Sequence, residues 1–542
     1  MKNKNKYLKI SIIISIILSI IYVICDSINK DYFIDVFNVI SVVKLVLYFV
    51  LFYFLVNLFY RFLDSGKIIK FKENSFLDSS KKSFIINFFI IFVINLLFLL
   101  RYYPGILTLD SYTQIKQAIG ELPLSNNHSV LHTSIIKLFI NMFNNNTVSI
   151  FMYMLFQIII VSLIYSYILR FLAKNNIPFV YRLICLLFYA FHPINIFYSI
   201  TLWKDILFSM FFVIFCIKLY KSDEIFINKK NIITFTFVTL LMMFLRNNGP
   251  ITVYISFFII MIIKRKNFKK YLILFSSVIT IFLLSQKITF KALKLDDVSV
   301  AGALSLPTQS IARIYKYKYN ELTDYEIKTI EKFYSNKIGE NYVPYISDSA
   351  KALLNNSYYS SHKKKYLNLN ISLIKRFPKE YLESFVSNSY GYYYMNYNYS
   401  TIVIGVSDGH GVEHKKILDI KILFSVIVII LLSLLLFILK NIENKKIIMY
   451  LLLLGVMVLS INKFDIKNNC FILLLFNIGF YSTVAILIFI YNIINKRDVT
   501  YFIPIIVLWF TILLSPVFAE FRYLYPLFLM VPIYFCNSLK KA

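Results

Sequence analysis

The chain has 542 residues, of which 58% are hydrophobic and 16% charged, and its mean hydropathy is +0.67. A soluble protein of this length cannot bury so much apolar surface in its cores, so the composition predicts an all-α polytopic membrane protein. The net charge of +30 does not indicate a nucleic-acid partner, because the lysines cluster in short segments between apolar runs, where they signal membrane topology.

The apolar runs recur along nearly the whole chain and predict about fourteen transmembrane helices (a range of about 12–14). Placing the basic segments in the cytoplasm puts both termini there as well. The first run follows a basic N-terminus but lacks a small-residue cleavage site, which favours a retained span over a signal peptide. The predicted spans lie near 8–25, 39–60, 84–100, 148–171, 177–191, 203–220, 231–245, 250–264, 271–286, 417–439, 447–461, 470–494, 499–517 and 524–538.

The predicted topology divides the chain into four parts. Residues 1–83 form a two-span addition with a basic cytoplasmic loop, and residues 84–286 form a core membrane domain whose first external loop spans 101–147. Residues 287–416 form a mostly helical external domain, in which Thr323 and Glu326 have the spacing of a helix capping box. Residues 417–542 form a C-terminal membrane domain, and the stretch 192–203 is expected to be an interfacial helix.

The first external loop carries Asp110, His128 and His132 just beyond a span that ends at Arg101. Asp110 either caps the helix that follows it or has a catalytic or metal-binding role. His128 and His132 are four residues apart, a spacing that predicts one helical face. With Asp110 they could hold a divalent metal such as Zn²⁺, Mn²⁺ or Mg²⁺, although hydrogen bonding to substrate hydroxyls or phosphate is the favoured interpretation.

Other charged residues of the predicted outer face come from distant parts of the chain. They are His192, Lys204, Asp205, Arg246, Arg313 and Arg522. Lysine alone would signal topology, so arginines outside suggest an anionic ligand that guanidinium groups bind bidentately. Ordinary alternatives remain: an interfacial ion pair for Lys204 and Asp205, snorkelling for Arg246, and neutralisation of Arg522 by Glu520. A weaker metal-like cluster occurs in DGHGVEH, with Asp408, His410 and His414.

Several motifs carry a resemblance to a known family. YPGILTLDSYTQIKQAIGELPLSNNHSVLHT, FHPINIF with LWKD, RNNGP, LSLPTQSIARIY, and FRYLYP resemble an uncharacterised group of bacterial multi-spanning membrane proteins. Those proteins look like GT-C glycosyltransferases, the fold of protein mannosyltransferases and of enzymes that glycosylate lipid A. The resemblance covers roughly residues 84–530.

The resemblance implies a GT-C-like core and an acid in the first external loop, acting as general base or metal ligand, and Asp110 occupies that place. It also implies a polyprenyl-phosphate-linked sugar donor whose phosphate is held by basic residues, for which Lys204, Arg246, Arg313 and Arg522 are the candidates. Many members carry paired acids at that place in the loop, whereas this chain has LDS with the single acid Asp110, which disfavours a metal-dependent variant.

The sequence therefore predicts a glycosyltransferase of the bacterial plasma membrane, with its active face outside. It would transfer a sugar from a polyprenyl phosphate to a glycan, lipid or protein acceptor of the cell envelope. A single carboxylate fits an inverting enzyme, although the stereochemistry is not readable from sequence. Two alternatives stay open: a transporter or flippase of lipid-linked glycans, and a non-catalytic envelope scaffold.

Overall fold

A computed structural model describes residues 2–65, 77–126, 128–295, 302–396, 417–419 and 474–539. Across these ranges the chain is helical, with short 3-10 turns and no β-strand. The helices of the first part are α1 (Lys2–Asp31), α2 (Val39–Ser65), α3 (Lys81–Arg101), α4 (Leu109–Ile119), α5 (Val130–Met142), α6 (Asn146–Lys174), α7 (Phe179–Phe191), α8 (Pro193–Ser199), α9 (Lys204–Tyr220), α10 (Lys229–Leu245), α11 (Gly249–Ile263) and α12 (Phe268–Leu293).

The remaining helices fall into two groups. The segment that the sequence predicts to be external, which we call the external domain after that prediction, contains α13 (Ser305–Tyr317), α14 (Asp324–Tyr334), α15 (Asp348–Lys351), α16 (Asn356–Ser361), α17 (Lys363–Arg376) and α18 (Pro378–Ser389). The C-terminal part contains α19 (Ile478–Ile494), α20 (Ile503–Leu514) and α21 (Tyr525–Ser538).

The protein is embedded in a membrane. In the described ranges five helices are long and apolar enough to cross a bilayer, namely α1, α2, α3, α6 and the stretch Arg265–Leu293 that contains α12. The pair α7 and α8 makes a sixth if it is one span bent by 48°. Apolar side chains of α2, among them Val46, Val50 and Phe54, are exposed along one side of the helix, as expected for a face in contact with lipid.

The predicted number of about fourteen spans is not confirmed. The predicted spans within the described ranges each coincide with a helix, but α9, α10, α11, α19, α20 and α21 have only 12–17 residues. A helix rises about 1.5 Å per residue, so even 17 residues fall short of a hydrocarbon core of about 30 Å. The predicted spans at 417–439 and 447–461 lie outside the described residues, apart from 417–419.

The centre of the membrane part is formed by α6, α9 and α21. The buried side chains of α9 and α21 lie on all sides of these two helices, which is the pattern of a helix enclosed by others, whereas α6 leaves Val148, Ile159 and Leu163 exposed. Tyr165 of α6 illustrates the packing, because its hydroxyl lies 2.7 Å from that of Tyr525, at the start of α21. Around this centre the ends of α3 and α10 and the starts of α9 and α21 carry the residues of the candidate site.

The helices α13 to α18 enclose a hydrophobic core of their own. The predicted capping box is confirmed: Thr323 caps α14, and Glu326 accepts a hydrogen bond from the Thr323 N–H at 2.9 Å. This domain packs on the hairpin of α1 and α2, where the Tyr390 hydroxyl donates to Asn29 Oδ1 at 3.0 Å. The two-span addition therefore holds the external domain rather than standing apart from it.

Candidate functional site at one end of the helical bundle

The turn after α3 is fixed by a glycine. Gly105 has φ +140°, and a Cβ built on it would lie 2.7 Å from Cγ of Met154, so both conformation and space require glycine. The next residue joins the segment before α9: the Ile106 N–H donates to Ile200 O at 2.8 Å, and the Leu202 N–H donates to Ile106 O at 3.0 Å. This pairing places the start of α4 beside the start of α9.

Thr108, and not Asp110, is the N-cap of α4. The Thr108 N–H donates to Ser111 Oγ at 2.9 Å, and Ser111 Oγ donates to Leu202 O at 2.8 Å. The Thr108 hydroxyl also accepts a hydrogen bond from the Trp203 indole at 2.7 Å. The capping alternative for Asp110 is therefore wrong, because α4 begins at Leu109, two residues earlier than a cap at Asp110 would require, and the Asp110 carboxylate is left for other partners.

Asp110 is paired with Arg522. Nη1 of Arg522 donates to Oδ2 of Asp110 at 2.6 Å, and Nε of the same guanidinium donates to Glu520 Oε2 at 2.7 Å. The Asp110 side chain keeps 38% of its surface exposed, whereas Arg522 and Glu520 keep 12% and 10%. A buried arginine thus bridges one buried carboxylate and one accessible carboxylate.

Two aromatic rings support the guanidinium of Arg522. Its Cζ lies 4.8 Å from the ring centroid of Trp203 and 5.1 Å from that of Tyr523. Such cation–π contacts stabilise a charge that has lost water. They fix the plane of the guanidinium, and therefore the direction in which it presents its N–H groups.

Lys204, the first residue of α9, contacts His128. Its Nζ lies 3.3 Å from His128 Nδ1. Burial, and then the charge of Lys204, lower the pKa of His128 to about 4, so this histidine is neutral at physiological pH. Burial alone would raise the pKa of Asp110, but the charges of Arg522 and Lys204 outweigh it and the pKa lies below its usual value. Asp110 is therefore ionised.

Asp205 and Arg246 form the next pair. Arg246 Nε lies 3.3 Å from Asp205 Oδ1, and the two side chains are only 10% and 2% exposed. Nη1 of Arg246 donates to the backbone oxygen of Tyr523 at 3.2 Å, which connects this pair to the segment of Arg522. Oδ1 of Asp205 makes no hydrogen bond within the described ranges, so its charge is balanced there by the ion pair with Arg246.

These residues form what we call the charged cluster: Asp110, His128, Lys204, Asp205, Arg246, Glu520 and Arg522. Its three cations face three carboxylates, with His128 neutral. Burial raises the pKa of Glu520, although Arg522 opposes that effect. Proton uptake by Glu520 would leave the cluster with a net positive charge, which favours an anionic ligand.

His132 does not share a helical face with His128. Ser129 caps α5, which begins at Val130, so His128 precedes the helix. His132 is fully buried, with Nδ1 3.1 Å from Gln114 Oε1 and Nε2 2.7 Å from the Tyr153 hydroxyl. Both ring nitrogens are thus engaged within the protein. The alternative of a three-residue metal site is not supported, because across the described ranges no group of three His, Cys, Asp or Glu side chains is arranged to hold a metal.

Arg313 and His192 are not members of the charged cluster. Arg313 is fully buried in the external domain, where Nη2 donates to Glu383 Oε2 at 2.5 Å and Nη1 donates to the Tyr342 hydroxyl at 3.0 Å. Its charge is neutralised there, which does not support the predicted role in phosphate binding. His192 caps α8 by accepting the Ile194 N–H at 3.3 Å and packs against Phe188 and Phe528. Asp408, His410 and His414 lie outside the described residues.

Sequence reasoning missed the aromatic support and the cap. Trp203 is one of only two tryptophans in the chain and directly precedes Lys204, and Tyr523 directly follows Arg522. A tryptophan next to charged residues in the sequence could have indicated a cation–π contact. Nothing in the local sequence distinguishes Thr108 from Asp110 as the cap, because both residue types are favoured at that position.

Comparison with known proteins gives one match. A family model matches residues 119–542, and its description is a family of unknown function (DUF6020). No curated protein and no solved structure matches the chain. Asp110 lies just before the matched region, whereas the other members of the charged cluster lie within it.

Proposed function

Because the chain belongs to the DUF6020 family, whose function is unknown, we propose its function from the site itself. It is a membrane glycosyltransferase that transfers a sugar from a polyprenyl phosphate to an acceptor of the cell envelope. The charged cluster lies on the extracytoplasmic face of a bacterial plasma membrane, in a fold of GT-C type. The donor lipid and the envelope acceptor are the partners.

The observation that carries this proposal is the pairing of Asp110 with Arg522 next to Lys204. Asp110 is ionised and 38% exposed, so a hydroxyl can reach it. Arg522 is 12% exposed and rigidly held, and Lys204 is close enough to lower the pKa of Asp110. An accessible carboxylate beside two held cations suits a reaction in which a hydroxyl loses a proton and a phosphate leaves.

A groove next to the cluster supports a lipid-linked donor. It has a volume of about 450 Å³ and lies between α5, α10, α11 and α12. Ser129 and Asn247 line it and directly follow His128 and Arg246, while Phe244, Phe282 and Phe290 give it an apolar side. Volumes of about 300–1,000 Å³ are usual for ligand sites. In this proposal the hydrocarbon chain of the donor lies along the apolar side and its phosphate reaches out of the groove toward the cluster, whose own residues do not line the groove.

The roles follow from the chemistry of transfer. The acceptor oxygen bonds to the anomeric carbon of the sugar, and its proton passes to Asp110. The bond between that carbon and the phosphate oxygen breaks, and its electron pair leaves on the polyprenyl phosphate. Arg522, Lys204 and Arg246 stabilise the charge that develops there. One base on the side opposite the leaving group corresponds to an inverting reaction.

The test replaces Asp110 by asparagine in cells that express the full chain. Envelope glycans of cells with the wild type, Asp110→Asn and no gene are compared by mass spectrometry. Glu121→Gln is the matched control, because Glu121 is an exposed acid of the same loop. We expect Asp110→Asn to give the glycans of cells without the gene, while Glu121→Gln gives those of the wild type. Wild-type glycans from Asp110→Asn would refute the proposal.

One observation favours a second candidate function, transport of a lipid-linked glycan. The helices α7 and α8 are bent by 48° across a short break, and broken spans are common in transporters. Reconstituted liposomes distinguish the two. A transporter moves a fluorescent lipid-linked sugar between leaflets without consuming it, whereas a transferase releases polyprenyl phosphate and leaves the leaflet distribution unchanged.

A further inference from the structure

A second cavity lies in the external domain, between α14 and the polar face of α17. Its volume is about 740 Å³, within the range of about 300–1,000 Å³ that is usual for ligand sites. Lys365, Asn368, Ser372 and Arg376 of α17 line it, at helical spacings of three and four residues. Leu369, at its base, belongs to the domain core. A cleft between two helices is thus lined by polar side chains rather than closed by apolar ones.

The positive charge of this cavity is only partly neutralised. Glu326 is the carboxylate that lines it, and it is paired with Arg376 at 2.5 Å. Burial would raise the pKa of Glu326, but Arg376 and Thr323 outweigh that effect and the pKa is lowered, so the pair is an ion pair. Within the described ranges Lys364 and Lys365 form no salt bridge. Two lysine charges therefore remain for a ligand.

The same cavity offers groups that bind sugars. Tyr325 is 66% exposed at its edge, and Lys365 Nζ lies 5.5 Å from the centroid of its ring. The Asn368 amide makes no hydrogen bond among the described residues, and Ser372 has only a distant one, at 3.5 Å to Glu326. An exposed aromatic ring beside free amide and hydroxyl groups suits a carbohydrate, and the lysines suit one that carries carboxylates or phosphates.

We propose that this cavity binds an anionic glycan, and that it captures the acceptor polymer for the glycosyltransferase. The second part rests on the proposed function, but the binding itself does not. The domain carries this cavity outside the membrane in the predicted topology, where envelope polymers are within reach. Tyr325 packs against a sugar ring, Lys364 and Lys365 pair with its anionic groups, and Asn368 binds its hydroxyls.

The experiment measures binding to the full-length protein in nanodiscs. The probes are a fluorescent oligogalacturonide, a neutral maltooligosaccharide of the same length and a polyglutamate of the same charge. The test variant is Lys364→Gln with Lys365→Gln. The control removes the same charge from exposed lysines of the same domain outside the cavity, as Lys332→Gln with Lys337→Gln. Tyr325→Ala tests the sugar contact, because it leaves the lysine charges in place.

We expect the oligogalacturonide to bind more tightly than both other probes. Its Kd should rise about tenfold in the Lys364 and Lys365 variant, which corresponds to about 1.4 kcal/mol, and also rise with Tyr325→Ala. It should not change in the control. Equal binding of polyglutamate would show a general affinity for polyanions, and equal losses in both lysine variants would show long-range attraction only; either overturns the proposal. Because no donor is present, failure here leaves the Asp110 test unaffected, and failure of that test leaves the binding result unaffected.

Discussion

Arg522 donates a hydrogen bond to Asp110 at 2.6 Å although the two residues are 412 positions apart in the sequence. The contact joins the loop that follows α3 to the segment that precedes α21. The external domain holds that segment in place: the Tyr392 hydroxyl donates to Phe518 O at 2.9 Å and accepts the Glu520 N–H at 3.2 Å. Membrane core, loop and external domain thus all contribute to the geometry of one carboxylate.

Replacement of Arg522 by lysine should abolish most of the activity while the protein still folds. Lysine is a point charge and cannot bridge Asp110 and Glu520 while lying flat on Trp203. We expect the transfer rate to fall about 100-fold, the effect of losing one oriented donor from a transition-state site. Transfer is measured in nanodiscs, with a melting curve for each variant.

Arg170→Lys is the control for this substitution, because Arg170 lies near the end of α6, where its Nε donates to Ser79 O at 2.9 Å, and belongs neither to the charged cluster nor to the cavity of the external domain. It should keep the rate of the wild type. A wild-type rate for Arg522→Lys would show that only the charge of Arg522 matters, and not its geometry.

The helices were largely predictable because long apolar runs between lysine-rich segments have one stable arrangement in lipid. The number of spans stays a prediction. Hydropathy does not distinguish a short helix such as α20, with 12 residues, from a full crossing when both are apolar.

The site was predictable in part, for a related reason. Asp110, Lys204 and Arg522 could be grouped because the topology puts them at the same end of the bundle. The same topology also placed Arg313 with these residues. In the structure Arg313 instead pairs with Glu383, 70 positions away in the sequence, and lies outside the charged cluster. His132 could not be separated from His128 by spacing, since the cap at Ser129 decides where α5 begins.

Acid should destabilise the protein partly through His128. Its pKa is about 4 in the folded state and 6.5 when unperturbed. Below pH 6.5 His128 binds a proton in the unfolded chain but stays neutral in the folded protein. The free energy of unfolding therefore decreases as the pH falls from about 6.5 to about 4. With allowance for solvent screening, the loss is on the order of 1–2 kcal/mol.

Melting curves measure the effect at about pH 7, above the pKa of His128 in the unfolded chain, and at about pH 5, between the pKa values of the unfolded and folded states. The drop in Tm should be smaller in His128→Gln than in the wild type. His362→Gln, a change at an exposed histidine, should show the wild-type drop. An equal drop in His128→Gln and the wild type would contradict a neutral His128.

Donor binding should tighten as the pH falls through the raised pKa of Glu520. Protonation removes one of the two carboxylates that compete for Arg522, so a phosphate gains a stronger partner. Glu520→Gln imitates the protonated state, and we expect it to bind polyprenyl phosphate at neutral pH as tightly as the wild type does in acid, with little dependence on pH. Titration of polyprenyl phosphate into nanodiscs across the pH range measures this, and a weaker affinity in Glu520→Gln would contradict it.

Arg313 should prove structural. Arg313→Met leaves Glu383 buried without its main cation, and breaking a buried ion pair costs about 3–5 kcal/mol, so the melting temperature should fall sharply. Adding Glu383→Gln removes the unpaired charge while keeping an acceptor for the Ile34 N–H, which Glu383 now binds at 2.8 Å. The double variant should recover most of the stability and transfer sugar at the rate of the wild type. A double variant that melts at the wild-type temperature but transfers no sugar would contradict this prediction. It would show that Arg313 acts in binding or catalysis, as the sequence analysis expected.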